Sequence, residues 1–344
     1  MTASLLVALS LLAAPPPQSG PLGVPPTGAE VELGKQLFFD KLLSQDGTIS
    51  CSTCHDPNKG WGDGLPVAAG IRGQLGTRNS PTIINASYSP LMFWDGRTVG
   101  QVTQALLPLS NPIEMGQQNE ADVLLKLRLT PRYVAGFAKV YGVDIQSGSP
   151  VTGPRLARAL AAFQSTIVSF DAPIDRYMEG DRSALSPEAE IGYRIFQSSG
   201  CVKCHSPPLF TDNDFHNNGM EHAGKFQAND QGRATSFTRQ QLAGLLRAGS
   251  HPSTLTRAFK TPGLREVQAT GPYNHAGNFA DLDRVIAHYA AGGAKFDGTT
   301  DPYTDPRVFQ MRYFDWSESR RRYLKIFLLT AFKGVGHEIT EPLR

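Results

Sequence analysis

The four cysteines of this chain constrain its fold more than any other feature, because they occur as two pairs with identical spacing. Each pair encloses two residues and is followed at once by a histidine. The six residues are Cys51, Cys54, His55, Cys201, Cys204 and His205. Two thiols at this spacing reach the two vinyl groups along one porphyrin edge, and the next residue offers an imidazole nitrogen to the iron. The sequence therefore predicts two covalent c-type haems, with the two histidines as proximal iron ligands.

Disulfides and a zinc site are the alternatives for cysteines in pairs. Two disulfides are compatible with an exported protein, and four thiolates are a common zinc ligand set. Neither arrangement needs a histidine directly after each pair, whereas an iron with an axial ligand does. Two haem sites also leave no cysteine over in the 344-residue chain.

The N-terminal residues predict export. The apolar run from Leu5 to Ala14 is too short to span a bilayer and resembles the core of a signal peptide. No Lys or Arg precedes it and prolines obscure the cleavage point, so a disordered tail is the alternative. We expect residues 1–20 to be a signal peptide and the mature protein to be periplasmic. No other segment predicts a membrane span, and a net charge of +2 gives no reason to expect a nucleic-acid partner.

A similar helical segment precedes each cysteine pair. Residues 32–38 read ELGKQLF and residues 190–196 read EIGYRIF. At helical periodicity the apolar pair of each segment lies on one face, where it can pack on a haem edge. The repeat predicts two cytochrome c-like domains, residues 21–175 for the N-terminal domain and residues 176–344 for the C-terminal domain.

The rest of the pattern predicts a mainly α protein with long loops around the haems. A helix opens at Pro154, and further helices are expected at 120–130, 281–290 and 318–332. Alternating strand patterns are few. The 34 glycines and 25 prolines predict many turns between these helices.

Short motifs are spread over the chain after residue 30. They are DGLP at 63–66, RNSPT at 78–82, FWDGR at 93–97, NPIEMG at 111–116, IDRYMEGD at 174–181, FHNNG at 215–219, FKTPGLREV at 259–267 and TGPYNHAG at 270–277. Their order, together with the two haem motifs, resembles the bacterial di-haem cytochrome c peroxidase family, and within it the MauG-like branch. The resemblance implies peroxidase-type chemistry, which the haem motifs alone do not.

The resemblance also implies a site at the N-terminal haem. Glu114 would be the distal acid/base, Gln104 and Pro108 would shape the pocket, and Trp94 would bridge the two haems; a solvated glutamate and a structural tryptophan are the alternatives. In peroxidases of this family a distal histidine often blocks this haem until the protein is reduced. Ile71 stands at the matching place. Because isoleucine cannot bind iron, we expect the first haem to be open without prior reduction.

The second haem is expected to take its sixth ligand from the helix at 281–290. Tyr289 shares one helical face with Leu282, whereas His288 points roughly 120° away from Leu282. Periodicity therefore favours Tyr289 as the inward ligand, MauG-like proteins resemble this arrangement, and a core tyrosine is the alternative. His275 is expected to be a hydrogen-bonded structural histidine.

A calcium ion between the domains is a further implication of the resemblance. Its ligands match the Asn79 side chain and the backbone carbonyls of Thr270 and Pro272, and oxygen donors suit calcium. The other histidines are expected to be surface or structural residues. They are His216, His222, His251 and His337.

Three functions follow from these expectations. In the first, hydrogen peroxide is reduced at the open N-terminal haem by electrons that pass through the C-terminal haem from a small redox protein of the cytochrome c type. In the second, a MauG-like enzyme oxidises a side chain on a partner protein. In the third, a non-catalytic di-haem cytochrome only transfers electrons. Ile71 and Glu114 argue against the third function, because a pure carrier needs both irons six-coordinate.

Overall fold

The computed structural model describes residues 22–220, 230–294 and 299–334. Those residues form a mainly α fold, as predicted, with two short antiparallel strand pairs. The helices are α1 (Gly28–Phe39), α2 (Cys51–Cys54), α3 (Gln101–Gln104), α4 (Leu107–Ser110), α5 (Glu120–Arg128), α6 (Pro131–Tyr141), α7 (Gly153–Gln164), α8 (Pro173–Met178), α9 (Pro187–Ser198), α10 (Arg239–Arg247), α11 (Leu282–Ala290), α12 (Pro306–Gln310) and α13 (Glu318–Thr330). The strands are β1 (Leu91–Met92) with β2 (Thr98–Val99), and β3 (Phe215–His216) with β4 (Phe259–Lys260). The expected signal peptide, residues 1–20, lies outside the described residues.

The four helices expected from periodicity are confirmed as α5, α7, α11 and α13. Their ends follow from local chemistry. The Asn119 side chain caps α5 by accepting a hydrogen bond from the Asp122 amide at 3.1 Å. The helix ends before Thr130 because Pro131 disfavours helical backbone at the residue before it and opens α6.

The repeated segments at 32–38 and 190–196 each contain the glycine at a close helix crossing. Helix α1 packs on α7, and α9 packs on α13. A methyl group at Gly34 would collide with the Ala159 backbone, and one at Gly192 would lie 2.6 Å from Phe327 Cβ. Glycine therefore lets each helix pair approach closely, and the repeat marks two copies of one packing arrangement.

Buried apolar side chains form two clusters that follow the repeat. The first runs from Leu33 to Ile167 and the second from Ala172 to Phe332. In each cluster the repeat phenylalanine packs on an aromatic ring of the crossing helix. The ring centroids are 5.2 Å apart for Phe38 and Phe163, and 5.4 Å apart for Phe196 and Phe327. The first cluster ends at Ile167, and the second begins at Ala172.

Polar contacts join the two halves beside the FWDGR motif. The Arg78 guanidinium contacts Asp95 at 2.6 Å and binds both carboxylate oxygens of Asp230 at 2.7 and 2.8 Å. The backbone amide of Lys260 donates to the Trp94 carbonyl at 2.8 Å. Residues on either side of the junction are therefore held in fixed relation. Within the described ranges, no helix combines the length and apolar character needed to cross a membrane.

Candidate functional site

A cavity of about 730 Å³ lies between the two halves of the chain. Both cysteine pairs and the histidines that follow them line it, although the pairs are 150 residues apart in sequence. Most of the other predicted site residues line the same cavity. They are Asn79, Trp94, Gln104, Pro108, Glu114, Thr270, Pro272, His275 and Tyr289. The fold thus gathers into one space the residues that the motifs singled out.

Each cysteine pair forms one tight helical turn. Cys51–Cys54 is α2, and residues 201–203 form a 3-10 turn. In both turns the histidine amide donates to the carbonyl of the first cysteine, at 3.0 Å for His55 and 2.9 Å for His205. This turn brings both sulfur atoms and the imidazole to the cavity wall.

The two imidazoles are held in the same way. Nδ1 of His55 lies 3.2 Å from the Trp61 carbonyl, and Nδ1 of His205 lies 3.2 Å from the Phe210 carbonyl. Trp61 and Phe210 both have left-handed backbone, with φ of 61° and 55°. A carbonyl acceptor fixes the proton on Nδ1 and leaves the lone pair of Nε2 available to a metal. Burial lowers the pKa of both histidines, which favours the neutral imidazole that binds iron.

The donor set fits a c-type haem better than a zinc ion or a disulfide. All four cysteines are free thiols. Burial raises the pKa of Cys51 to about 12 and the pKa of Cys54 and Cys201 to about 11. Among the described residues, the four sulfur atoms do not gather into one group that could hold a zinc ion, whereas each pair with its histidine has the spacing of a c-type haem site.

Glu114 lies in the loop that follows α4. Its Oε1 accepts a hydrogen bond from Asn111 Nδ2 at 2.7 Å. Burial raises the pKa of Glu114, and the nearby charge of Arg97 and the Asn111 bond oppose that effect without cancelling it. The cavity therefore contains a carboxyl group whose pKa is raised towards the range useful for proton transfer near neutral pH.

Gln104 and Pro108 come from the short helices α3 and α4 that precede this loop. The Pro108 carbonyl accepts from the amides of Asn111 and Met115, both at 3.3 Å. Pro108 therefore anchors both arms of the loop that carries Glu114.

Ile71, expected at the place of a distal histidine, lies behind the Glu114 loop. Its amide donates to the Glu114 carbonyl at 3.0 Å, and its side chain is buried against Gly116. The neighbouring Gly70 lines the cavity, whereas Ile71 does not. The segment thus presents backbone to the cavity at this position and offers no imidazole.

Trp94 lies at the junction of the two halves. Its Nε1 donates to the Asn79 carbonyl at 2.9 Å, and its own carbonyl accepts from Lys260. The indole and the His275 ring are 6.4 Å apart in an edge-on arrangement. His275 in turn stacks on Phe259 at 3.5 Å. The indole is therefore fixed by contacts to both halves.

Helix α11 turns Tyr289 towards the cavity and His288 away from it. Four residues of one face line the cavity, and they are Leu282, Val285, Ile286 and Tyr289. His288 is buried elsewhere, with Nε2 at 2.8 Å from the Asn218 carbonyl. Burial raises the pKa of Tyr289 to about 12, so a phenolate would form only with a strong cationic partner.

The three residues expected to bind calcium are brought to the same cavity. Nδ2 of Asn79 donates a hydrogen bond to the Leu65 carbonyl at 2.7 Å. This bond fixes the orientation of the side-chain amide and leaves Oδ1 available as a ligand. Thr270 and Pro272, which are two positions apart in the sequence, also line the cavity. An amide oxygen and carbonyl oxygens are a donor set that suits calcium.

His216, expected to be a surface or structural residue, is a structural histidine in the cavity wall. It is buried, lines the cavity, and bonds Asp212 at 2.9 Å and Asp305 at 3.0 Å. Burial lowers the pKa of His216, but the hydrogen bonds to Asp212 and Asp305, with a further contribution from Cys204, outweigh it and raise the pKa. Cys204, Asp212 and His216 lie close enough to bind a metal. In this structure, however, Asp212 and His216 form an ion pair with each other. His251 is exposed as expected, and His222 and His337 lie outside the described residues.

A cavity lined by two cysteine–histidine turns, a partly buried carboxyl group and an indole at the junction of the two halves is the arrangement expected of a di-haem oxidoreductase. The sequence profile of the family described as "Di-haem cytochrome c peroxidase" matches residues 28–183. Methylamine utilization protein MauG of Methylorubrum extorquens is 37% identical over 95% of this chain and 84% of its own length. Cytochrome-c peroxidase IdrP1 of Denitromonas iodatirespirans is 37% identical over 83% of this chain and 79% of its own length.

A solved structure resembles the whole fold. It is a MauG-like protein associated with microbial copper homeostasis, with a TM-score of 0.76 and 26% identity, and the match covers 92% of this chain and 93% of the other. The chain belongs to the di-haem cytochrome c peroxidase family, which includes MauG. It is therefore a peroxidase-type di-haem oxidoreductase.

Proposed function

We propose that the mature chain is a periplasmic protein of two cytochrome c-like domains, residues 21–175 and 176–344, after removal of residues 1–20. Each domain carries one covalent haem. The two apolar clusters, the two glycine-mediated helix crossings and the two identical histidine environments support this division.

Hydrogen peroxide is the proposed substrate at the N-terminal haem. Cys51, Cys54 and His55 would hold this haem, and its iron would supply a binding site for peroxide and the redox chemistry that cleaves the O–O bond. Glu114 accepts the proton from one peroxide oxygen and returns it to the leaving oxygen, so that water departs. Gln104 and Pro108 shape the pocket around this transfer. Two electrons and two protons complete the reduction of peroxide to two molecules of water.

Trp94 is the proposed electron path between the haems. Contacts from both halves fix the indole, so little rearrangement accompanies electron transfer through it. Tyr289 is the proposed sixth ligand of the C-terminal haem, and its phenolate would favour the ferric state. The electrons come from a small redox protein of the cytochrome c type, as the name of the related IdrP1 indicates for that enzyme.

Oxidation of a side chain on a partner protein is the second candidate. Tyr289 in the cavity wall and the match to MauG over 95% of this chain favour it. Both candidates use the same site and differ in the final electron donor. The proposed calcium ion, held by Asn79, Thr270 and Pro272, would stabilise the junction between the domains in either case.

One observation carries the proposal: both cysteine–histidine turns, Glu114 and Trp94 line a single cavity. The test is steady-state peroxide reduction by the di-haem protein, with a reduced small cytochrome c as donor. Glu114→Gln should keep both haems and slow turnover by about 100-fold or more. Glu188→Gln, which removes an exposed carboxylate at the start of α9, is the matched control and should keep the wild-type rate.

Unchanged turnover in the Glu114→Gln variant would refute the acid/base assignment. The two candidate donors are separated in the same assay. Peroxide consumption coupled to oxidation of the cytochrome supports the peroxidase function. A stoichiometric reaction of the protein with peroxide, without turnover when the reduced cytochrome is the sole donor, favours side-chain oxidation on a partner protein.

A further inference from the structure

The loop at 111–116 is organised around the side chain of Asn111. Its Oδ1 accepts from the Ile113 amide at 3.0 Å and from the Glu114 amide at 3.4 Å. Its backbone carbonyl accepts from the Gly116 amide at 2.8 Å. One residue therefore ties the start of this loop to three later positions.

These contacts fix which way the Asn111 amide faces. Two backbone N–H groups point at one end of the side chain, so that end must be the oxygen. The other end is then the NH₂ group, which lies 2.7 Å from Glu114 Oε1. The hydrogen bond from Asn111 to the Glu114 carboxyl thus follows from the backbone contacts.

We infer that Asn111 is a positioning residue for the reaction: it fixes the direction of the Glu114 carboxyl in the cavity and donates a hydrogen bond to it. The inference rests on the acid/base role proposed for Glu114. A donor at this distance stabilises the carboxylate over the protonated carboxyl, because only the negative charge gains a charge-assisted bond.

Asn111 acts against the burial of Glu114. Burial raises the pKa of Glu114, and Arg97 and Asn111 lower it. Arg97 is half-exposed and contacts Asp95 at 3.0 Å, so its charge is shared and partly screened. Cys54 also faces Glu114, and as a thioether of the proposed haem its sulfur would carry no charge. The short bond from Asn111 is the direct contact that makes the carboxylate available as a base.

The selective test is Asn111→Asp in the di-haem protein. An aspartate keeps the oxygen that accepts from Ile113 and Glu114, and it replaces the NH₂ donor with a second acceptor. The pH midpoint for Glu114 ionisation should move up by roughly one pH unit or more, because a like charge replaces a donor. Asn119→Asp is the matched control, since it makes the same exchange at the exposed cap of α5.

Two measurements distinguish an error in the role of Asn111 from an error in the role of Glu114. Infrared spectroscopy follows the carboxyl stretch of Glu114 across pH, with Glu114→Gln identifying the band, and the rate of peroxide reaction is recorded over the same range. We expect both midpoints to rise in Asn111→Asp and to stay at the wild-type value in Asn119→Asp. An infrared midpoint that is equal in wild type and Asn111→Asp overturns the inference. Wild-type turnover in Glu114→Gln instead overturns the proposed role of Glu114.

Discussion

Replacing the crossing glycine of the C-terminal half is the sharpest test of how the fold is built. In Gly192→Ala the new methyl group would lie 2.6 Å from Phe327 Cβ, where ordinary contact begins at 3.4 Å, and it would also meet the Tyr323 carbonyl. The shortfall of 0.8 Å (3.4 − 2.6) involves atoms close to the backbone of α13, so side-chain rotation cannot relieve it. Helices α9 and α13 must separate.

The expected loss of stability combines two opposing terms. Overpacking of this kind costs about 1–3 kcal/mol. Alanine is a better helix former than glycine, so the exchange also stabilises α9 by about 0.5–1 kcal/mol. The clash is with the Tyr323 carbonyl and with Phe327 Cβ and not with the far end of a flexible side chain, so the overpacking cost should lie near the upper end of its range, at about 2–3 kcal/mol. The net destabilisation should therefore be about 1–2.5 kcal/mol, which corresponds to a fall in Tm of roughly 2–10 °C. Gly34→Ala should behave in the same way in the N-terminal half, because its methyl group would lie 2.7 Å from the Ala159 carbonyl carbon.

Thermal unfolding of the di-haem protein, followed by far-ultraviolet circular dichroism, is the assay. Gly244→Ala is the control, because α10 leaves open space around that position, so the variant should be unchanged or slightly more stable. A Gly192→Ala variant as stable as wild type would refute the close-crossing argument. If the Tm of Gly244→Ala fell as far as that of Gly192→Ala, the loss of stability could not be assigned to the close helix crossing.

Three further predictions concern the site. Trp94→Phe should keep peroxide binding and slow electron transfer between the haems, measured by rapid mixing with optical detection; an unchanged transfer rate would exclude the indole as the path. Tyr289→Phe should change the spin state of the second haem in its EPR spectrum, and an unchanged signal would mean that another ligand binds there. Because burial raises the pKa of Glu114, its contribution to stability is present at acid pH and is lost as pH rises through the folded-state pKa. Glu114→Gln should therefore gain stability relative to wild type between acid and neutral pH in chemical denaturation, and a constant difference would contradict the raised pKa.

Much of the fold was predictable, because its main signals are local in sequence. The haem motifs, the helix at Pro154 and the apolar face that carries Tyr289 each depend on spacings within one turn or one helix. The repeat at 32–38 and 190–196 was also visible. Its apolar pair was recognised, but the role of its glycine depends on a second helix that sequence periodicity does not identify.

The features that the sequence did not predict depend on contacts between distant segments. His216 is paired with Asp305, 89 positions away, and Arg78 with Asp230, 152 positions away. No spacing rule connects such residues, so His216 could not be distinguished from a surface histidine. The only signal in the sequence was the FHNNG motif around His216, because this motif is one of those that resemble the di-haem peroxidase family.

Ile71 shows a different limit. The sequence placed it where a distal histidine stands in related peroxidases, which implied a side chain beside the iron. In the structure its side chain packs behind the Glu114 loop, and Gly70 forms that part of the cavity wall. The expectation of an open first haem therefore rests on the lack of an imidazole in this segment and not on isoleucine filling the position.

An EPR spectrum of the as-isolated ferric protein with both haems loaded would show whether the N-terminal iron has an open axial position. We expect one high-spin signal from an open N-terminal haem and one low-spin signal from a C-terminal haem with a sixth ligand. Two low-spin signals would contradict this expectation, because a second axial ligand would then block the iron beside Glu114.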